Sequence, residues 1–215
     1  MTIKLLKTSS SDPHGGVANT SSSLVVTYPR TVQITFGNYP YADQIENLKN
    51  ETRHNLTDEL EDATYVRGKM TPWNHFIDNP VITKFINHCI NTHQCTNPGL
   101  FRYFYQKQII ENLWGIELGK GDRVDQHDHV TIHGLLYLTE GNPLILPQLQ
   151  IEITPKPGDY YFFPPGIQHY VEEVKDDNKR YTIVMNIGPN TSDENWAKNK
   201  RIREKWNKEE VKLRV

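Results

Sequence analysis

Residues 113–138 read LWGIELGKGDRVDQHDHVTIHGLLYL, and they hold both the strand pattern and the histidines on which the prediction of the fold depends. The two flanks, LWGIEL at 113–118 and HGLLYL at 133–138, are short segments typical of β-strands. Three more such segments follow after Gly, Pro and Asn turns: LQIEI at 149–153, DYYFF at 159–163 and RYTIVMNI at 180–187. Short strands at this spacing predict an antiparallel sandwich, barrel or jelly roll.

Two histidines within this stretch are spaced to share one face of a strand. Because His127 and His129 are two residues apart, both imidazoles project from the same side of an extended chain. A third, His169, follows a strand and a Pro-Gly turn and begins the next strand. Three neutral imidazoles at the mouth of a barrel suit a transition metal such as Fe(II), Zn, Ni or Mn. We therefore expect a metal site of these three residues, against the alternative that each is an ordinary surface or core histidine.

The spacing of these residues resembles the two cupin motifs. The first is matched by a glycine and three histidines: Gly121, His127, His129 and His133. The second is matched without a gap by Gly158, Pro164, Gly166 and His169, although Glu173 stands where Asn is usual. This resemblance implies a double-stranded β-helix, that is, a jelly-roll core.

Residues 114–187 also resemble the iron- and 2-oxoglutarate-dependent oxygenases of prolyl-hydroxylase type. The matching motifs are W-x-I-x-L at 114–118, H-x-H at 127–129, GLLYL at 134–138, PGD at 157–159, FFP at 162–164, H-x-V-E at 169–172 and R-x-T at 180–182. In that family an arginine lies about ten residues after the distal histidine, with Ser or Thr two further on. Arg180 and Thr182 stand at these places, and strand alternation puts both on one face with Val184 and Asn186.

The resemblance implies roles for the matching residues. His127, His129 and His169 would hold Fe(II), while the Arg180 guanidinium would form a bidentate pair with the distal carboxylate of 2-oxoglutarate and Thr182 would add a hydrogen bond. Tyr137 is on the same strand phase as His127, His129 and His133, and its hydroxyl would reach that carboxylate from deeper in the barrel, with core packing as its alternative. For Arg180 the alternative is a surface ion pair with Asp176 or Glu173.

The sequence departs from the usual pattern of this family at the second ligand. Most members have Asp or Glu two residues after the first histidine, where this chain has His129. Asp125, His127 and His169 form an alternative set of two histidines and one carboxylate, since Asp125 and His127 are also two residues apart. Asp128 is expected to point away as an outer hydrogen-bond acceptor. His133, where cupins usually have Glu, remains open between a fourth ligand, a substrate contact and a packed barrel histidine.

These features favour an Fe(II)- and 2-oxoglutarate-dependent dioxygenase that hydroxylates an unidentified small molecule or protein side chain. The second hypothesis is a metal-dependent cupin, a three-histidine dioxygenase, lyase or isomerase acting on a small molecule without 2-oxoglutarate. A third is a sugar- or protein-binding jelly roll without catalytic activity, in which the histidines are structural.

The expected fold class is mainly β with flanking helices (α+β), in one domain. Residues 1–23, rich in Ser, Thr, Gly and Asn, predict a flexible lead-in. Residues 24–110 predict strands and helices that pack on the core, residues 111–188 the metal-binding double-stranded β-helix, and residues 189–215 a charged helix.

Three local patterns support the strands and helices predicted for residues 24–110. Alternation from Thr31 to Phe36 predicts a strand with Val32, Ile34 and Phe36 on one side. Asn79 followed by Pro80 predicts the start of a helix whose apolar face is Val81, Ile82, Phe85, Ile86, Cys89 and Ile90. A looser helical stripe comprises Ile45, Leu48, Leu56 and Leu60.

Composition narrows the class of partner. Lys and Arg total 24 against 26 Asp and Glu, a net charge of -2, so no overall basic field favours nucleic acid or membrane surfaces. The sequence has no apolar run approaching the roughly 18 residues of a membrane span, and its start lacks the apolar stretch of a secretory signal, so we expect a cytoplasmic protein. Cys89 and Cys95 are expected to be free thiols. A homodimer contact through Trp196 and Trp206 is the alternative to a solvated C-terminal helix.

Overall fold

The computed structural model describes residues 2–5, 16–19, 23–27, 31–57, 64–93 and 109–188. Two α-helices lie in these ranges, α1 (Ala42–His54) and α2 (Pro80–His93). The strands of the same ranges are β1 (Thr2–Leu5), β2 (Gly16–Asn19), β3 (Ser23–Thr27), β4 (Thr31–Asn38), β5 (Val66–Arg67), β6 (Lys69–Met70), β7 (Ile109–Leu118), β8 (Arg123–His127), β9 (Ile132–Tyr137), β10 (Leu144–Leu146), β11 (Ile151–Thr154), β12 (Asp159–Phe163), β13 (His169–Val171) and β14 (Arg180–Gly188).

The strands form two antiparallel sheets that face each other. The large sheet has the order β2-β3-β4-β12-β9-β14-β7-β6, and the small sheet has the order β1-β11-β10-β13-β8-β5. From β7 onward the chain crosses repeatedly between them, with β7, β9, β12 and β14 in the large sheet and β8, β10, β11 and β13 in the small one. This is the double-stranded β-helix expected from the sequence, and it confirms the predicted fold class.

The central strands of the large sheet, β9, β12 and β14, are buried on both faces, which explains why most of their residues are apolar. On β14, the side chain of Val184 packs between the two sheets, whereas Ile183 and Met185 pack on the opposite side. That opposite side is covered by the helices, since Phe85 of α2 meets the ring of Tyr160 edge-on at 5.4 Å between centroids. Each large apolar side chain buried in this way contributes about 1.5–3 kcal/mol.

Helix α2 begins as predicted. The Asn79 side-chain oxygen accepts hydrogen bonds from the backbone N–H groups of Val81 (2.8 Å) and Ile82 (3.3 Å), which would otherwise be unpaired at the helix start. The predicted apolar face is directed inward, and Ile82, Phe85 and Cys89 are fully or almost fully buried. Cys89 is a free thiol, as expected.

The other local predictions have mixed outcomes. Strand β4 places Ile34 and Phe36 in the core between the sheets, with Val32 packed against it, as alternation predicted. Helix α1 buries Ile45 and Leu48 but ends at His54, so Leu56 is not part of it.

The predicted flexible lead-in contains two short strands. Thr2–Leu5 pairs with β11 and Gly16–Asn19 pairs with β3, so these residues extend the two sheets. Backbone pairing needs no hydrophobic side chain, which is why composition alone missed them.

Some expectations lie outside the described residues, namely Leu60, Cys95, the C-terminal segment 189–215 and its two tryptophans. Neither of the two described helices has the length and apolar character needed to span a membrane.

Candidate active site

Three of the predicted histidines meet at one end of the space between the sheets. His127 ends β8 and His169 begins β13, and the two residues are paired in register. His129 lies in the connection that follows β8. One ring nitrogen from each of the three lies within 4.8 Å of the others, and the Nε2 atoms of His127 and His129 are 3.1 Å apart.

These distances fit a shared metal ion. Two nitrogens that each bind a metal at about 2.0–2.1 Å lie about 2.8–3.0 Å apart at an octahedral angle and about 3.3–3.4 Å apart at a tetrahedral angle, a range of about 2.8–3.4 Å. The 3.1 Å separation of His127 and His129 falls in that range. Among the described residues, His127, His129 and His169 form the one cluster of His, Cys or carboxylate groups close enough to hold a metal.

Backbone carbonyls orient two of the three rings. The Nδ1 of His127 lies 2.8 Å from the carbonyl oxygen of Asp125, and the Nδ1 of His169 lies 3.0 Å from that of Ile167. Since a carbonyl oxygen only accepts, both Nδ1 atoms carry the proton and donate it. Each Nε2 is then left with a free lone pair, as metal ligation requires.

Burial keeps these imidazoles neutral. It lowers the pKa of His127, and it lowers that of His169 well below the usual value, with His133 and His127 adding to the effect. Burial also lowers the pKa of His133 to about 3. A cationic imidazole is disfavoured in this desolvated space, so the rings are in the protonation state that binds metals.

His133 lies beside the three histidines but outside the group whose nitrogens converge. Its ring stacks on that of His129 with centroids 3.8 Å apart and planes 8° from parallel. Its Nδ1 donates to the side-chain oxygen of Asn186 at 3.1 Å. His133 is 4% exposed, so both contacts are made in the interior.

Asp125, the alternative ligand, faces away from the histidines. Its two carboxylate oxygens each accept a hydrogen bond at 2.8 Å, one from Arg123 and one from Arg67, and these bonds lower its pKa. The expectation that it shares a face with His127 was based on regular alternation. A β-bulge breaks that alternation, because His127 pairs with His169 and Val124 with Val171. The extra residue in β8 turns Val124 and His127 toward the interior and Asp125 outward.

Asp128 differs from its expected orientation as well, because it is among the residues that line the interior. The strand ends at His127, so alternation no longer applies to the next residue.

The histidines open onto a cavity of about 220 Å³ between the two sheets. One face of β14 contributes the four lining residues expected from alternation: Arg180, Thr182, Val184 and Asn186. The pairing of β14 with β9 sets their order, since Asn186 lies opposite His133 and Thr182 lies opposite Tyr137. Arg180 and Thr182 are therefore at the opposite end of the strand from the histidine cluster.

Within the described part of the chain, Arg180 is a buried cation without an anionic partner. It is 4% exposed, and among the described residues it forms no ion pair, so the predicted surface alternative with Asp176 or Glu173 is not observed. Its Nη2 donates to the hydroxyl of Tyr137 at 3.1 Å, and its guanidinium carbon lies 5.0 Å from the centre of the Tyr137 ring. Its Nε has no hydrogen-bond partner among the residues that the structure describes. A guanidinium in this position needs an anion to offset its desolvation.

The mouth of the cavity includes residues that the sequence did not single out. Tyr65, 51% exposed, stacks on the His127 ring at 4.6 Å with planes 9° apart. Trp73 meets Trp114 edge-on at 4.5 Å, and all three aromatic residues line the cavity. Tyr65 and Trp73 precede the eight core strands, and no motif marks them.

Strand alternation placed Asn186 on the same face as Arg180, which is correct. It did not predict that Asn186 accepts a hydrogen bond from His133.

No protein-family model matches the sequence, and no curated protein matches it. Solved structures share its fold at low sequence identity. A prolyl-4-hydroxylase from Pseudomonas putida superposes with a TM-score of 0.54 at 16% identity, over 74% of this chain and 93% of that one. The viral collagen prolyl hydroxylase of Paramecium Bursaria Chlorella virus-1, solved as a 2-oxoglutarate complex, gives 0.51 at 16% identity, over 72% and 94%. HygX from Streptomyces hygroscopicus, with nickel and 2-oxoglutarate bound, gives 0.53 at 10% identity, over 73% and 83%.

Proposed function

We propose that this protein is an Fe(II)- and 2-oxoglutarate-dependent dioxygenase that hydroxylates a small molecule or a protein side chain. The observation that carries the proposal is the combination, in one cavity, of three converging imidazoles and a buried arginine that has no anionic partner among the described residues. The first suits a transition metal and the second a carboxylate. The shared fold with prolyl hydroxylases and HygX, two of which were solved with 2-oxoglutarate, adds support.

In this proposal His127, His129 and His169 hold the iron. Since all three ligands are neutral, the iron keeps a formal charge of +2, which favours a dianionic chelator such as 2-oxoglutarate. Arg180 binds the distal carboxylate, with Thr182 and Tyr137 as hydrogen-bonding neighbours. When bound, iron and 2-oxoglutarate supply the oxidising chemistry: with O2, 2-oxoglutarate is converted to succinate and CO2, and the second oxygen atom enters a C–H bond of the substrate.

The remaining cavity residues orient groups and exclude water. His133 stacks on His129 and is fixed by Asn186, so we assign it the role of holding His129 in place. Tyr65 covers the outer face of His127, and with Trp73 and Trp114 it forms an aromatic wall at the mouth. The substrate enters between this wall and the iron, in a space from which apolar side chains exclude bulk water.

The test is an anaerobic titration of the purified protein with Fe(II) and then 2-oxoglutarate. We expect a weak visible charge-transfer band that is lost in His169→Ala and needs much more 2-oxoglutarate in Arg180→Ala. His54→Ala and Arg53→Ala are matched controls, since both residues are exposed on α1, and they should behave as wild type.

Two outcomes would overturn the proposal. If iron binds but 2-oxoglutarate yields neither the band nor succinate in air, the metal-dependent cupin becomes the better hypothesis. If no transition metal binds or stabilises the protein, both enzymatic hypotheses fail.

A further inference from the structure

The connection between β9 and β10, residues 138–143 (the β9–β10 loop), lies against the start of β14, where Arg180 is located. Gly141 of this loop contacts the aliphatic part of the Arg180 side chain. A Cβ atom at position 141 would lie 2.9 Å from the Cβ of Arg180 and 3.1 Å from its Cγ and Cδ. A methyl group there is therefore incompatible with the present position of the arginine, because close-packed interiors do not absorb such overlaps without a shift.

The β9–β10 loop is fastened on both sides of Gly141, so it cannot easily move outward. On one side, the backbone N–H of Leu138 donates to the Tyr181 carbonyl at 3.0 Å, and the Thr139 hydroxyl accepts from the Tyr181 N–H at 2.9 Å. On the other side, the Asn142 side-chain amide donates to the carbonyls of Glu172 (3.3 Å) and Glu173 (3.2 Å). Lifting the loop to accommodate a larger residue would break these bonds.

The guanidinium end of Arg180 is fixed from the other direction. It donates to the Tyr137 hydroxyl and lies over the Tyr137 ring, as described above. The stem is thus confined by Gly141 while the tip is bonded to Tyr137. A long, flexible side chain confined in this way binds its partner without losing further conformational freedom, which raises affinity.

We infer that Gly141 is a positioning residue for the carboxylate-binding arginine: the absence of a side chain at position 141 sets where the Arg180 guanidinium lies, and so sets the affinity for the distal carboxylate of the cosubstrate. This inference rests on the proposed function, because it presupposes that Arg180 binds 2-oxoglutarate. It assigns to the β9–β10 loop a role that neither the histidine motifs nor the arginine motif contains.

The experiment compares Gly141→Ala with wild type in three anaerobic titrations, using Fe(II) alone, 2-oxoglutarate with the Fe(II) protein, and pyruvate with the Fe(II) protein. Pyruvate has the 2-oxo acid group but no distal carboxylate. We expect the Kd for 2-oxoglutarate to rise by roughly tenfold or more, since small misplacements of a binding group are costly. The Kd values for Fe(II) and pyruvate should stay within about twofold of wild type, a change of about 0.4 kcal/mol, because a Cβ at position 141 would meet Arg180, which neither probe needs. Gly119→Ala is the matched control, since a Cβ there would meet Asp122 only at an ordinary 3.7 Å.

The outcomes separate this inference from the proposed function. If wild type binds no 2-oxoglutarate, the proposed function fails. If wild type binds it and Gly141→Ala binds it equally well, or loses pyruvate to the same degree, the positioning role is refuted. If Gly141→Ala does not fold, Asn142→Ala decides the question: loosening the β9–β10 loop should weaken 2-oxoglutarate roughly threefold, the effect of about one lost hydrogen bond, and leave pyruvate unchanged. Equal affinities in that variant refute the role.

Discussion

The identity of the third metal ligand depends on which way two neighbouring polar residues point. The His129 nitrogen is 3.1 Å from that of His127, whereas both oxygens of Asp125 are bonded to arginines on the outer surface. We expect Asp125→Asn to leave the Kd for Fe(II) or Co(II) within about twofold of wild type, and His129→Ala to raise it at least a hundredfold. Even the loss of an outer partner of a ligand typically costs about 10- to 100-fold. Calorimetric titration under anaerobic conditions measures both.

The two variants control for each other, since they are close in sequence and remove one polar side chain each. A large loss of affinity in Asp125→Asn with a small one in His129→Ala would make Asp125 the ligand. The protein would then have to rearrange β8 on binding metal.

The role of His133 can be tested by comparing a variant that keeps an aromatic ring without the nitrogens with a variant that removes the ring. If it supports His129 by stacking, His133→Phe should keep the Kd for Fe(II) within about threefold, whereas His133→Ala, which removes the stacked ring, should raise it roughly tenfold. If His133 were instead a fourth ligand, the two variants would show the same rise in the Kd for Fe(II), because both remove its nitrogens. Since Phe leaves the Asn186 side chain without its buried partner, the comparison is made in an Asn186→Leu background as well.

The direction of a side chain could be predicted from the sequence where its strand is regular and not where the strand is bulged. Arg180, Thr182 and Asn186 share a face because β14 is regular beside them, so alternation was sufficient. Asp125 was misplaced because a bulge depends on how β8 pairs with β13, which no local pattern in β8 reveals. Tyr65 was missed for a related reason: it contacts His127 only because β5 pairs with β8.

At the level of elements, the start of α2 offers a quantitative test. Asn79 accepts two backbone N–H bonds there, and its amide donates to Glu51 of α1 at 2.7 Å. We expect Asn79→Ala to lower the free energy of unfolding by about 1–2 kcal/mol in urea titrations. Asn79→Asp should retain the cap but place a second carboxylate beside Glu51, giving an intermediate loss. A change below about 0.3 kcal/mol in the alanine variant would mean that water replaces the cap.

The helices were more predictable than the outer strands. The start of α2 is encoded locally, by a capping side chain, a proline and an apolar stripe within one segment. Strands β1 and β2 exist only as partners of β11 and β3, and their pairing uses backbone groups that every residue carries. For such strands the information lies in distant parts of the chain.

For the whole molecule, we expect the buried Arg180 to lower the stability of the ligand-free folded chain while it provides the binding group for an anionic ligand. Without an anion in the cavity it is a desolvated cation whose only described hydrogen bond is to Tyr137. Replacing both partners, Arg180→Met with Tyr137→Phe, removes the charge and leaves no orphaned hydroxyl. We expect the ligand-free double variant to be more stable than wild type by about 1–3 kcal/mol, because well-packed apolar groups commonly outperform buried charges.

The same variant should lose most of the stabilisation that 2-oxoglutarate confers. In anaerobic urea titrations with saturating Fe(II), wild type should gain about 2.7 kcal/mol when 2-oxoglutarate is present at a hundred times its wild-type Kd. At the same concentration the double variant should gain much less, because only the 2-oxo acid group is still bound. Both proteins should gain equally from Fe(II) alone, since the three histidines are unchanged. Arg53→Met, on the exposed face of α1, is the control and should shift stability by less than about 0.5 kcal/mol. A ligand-free double variant less stable than wild type would show that Arg180 already has sufficient partners in the folded chain and needs no anionic ligand.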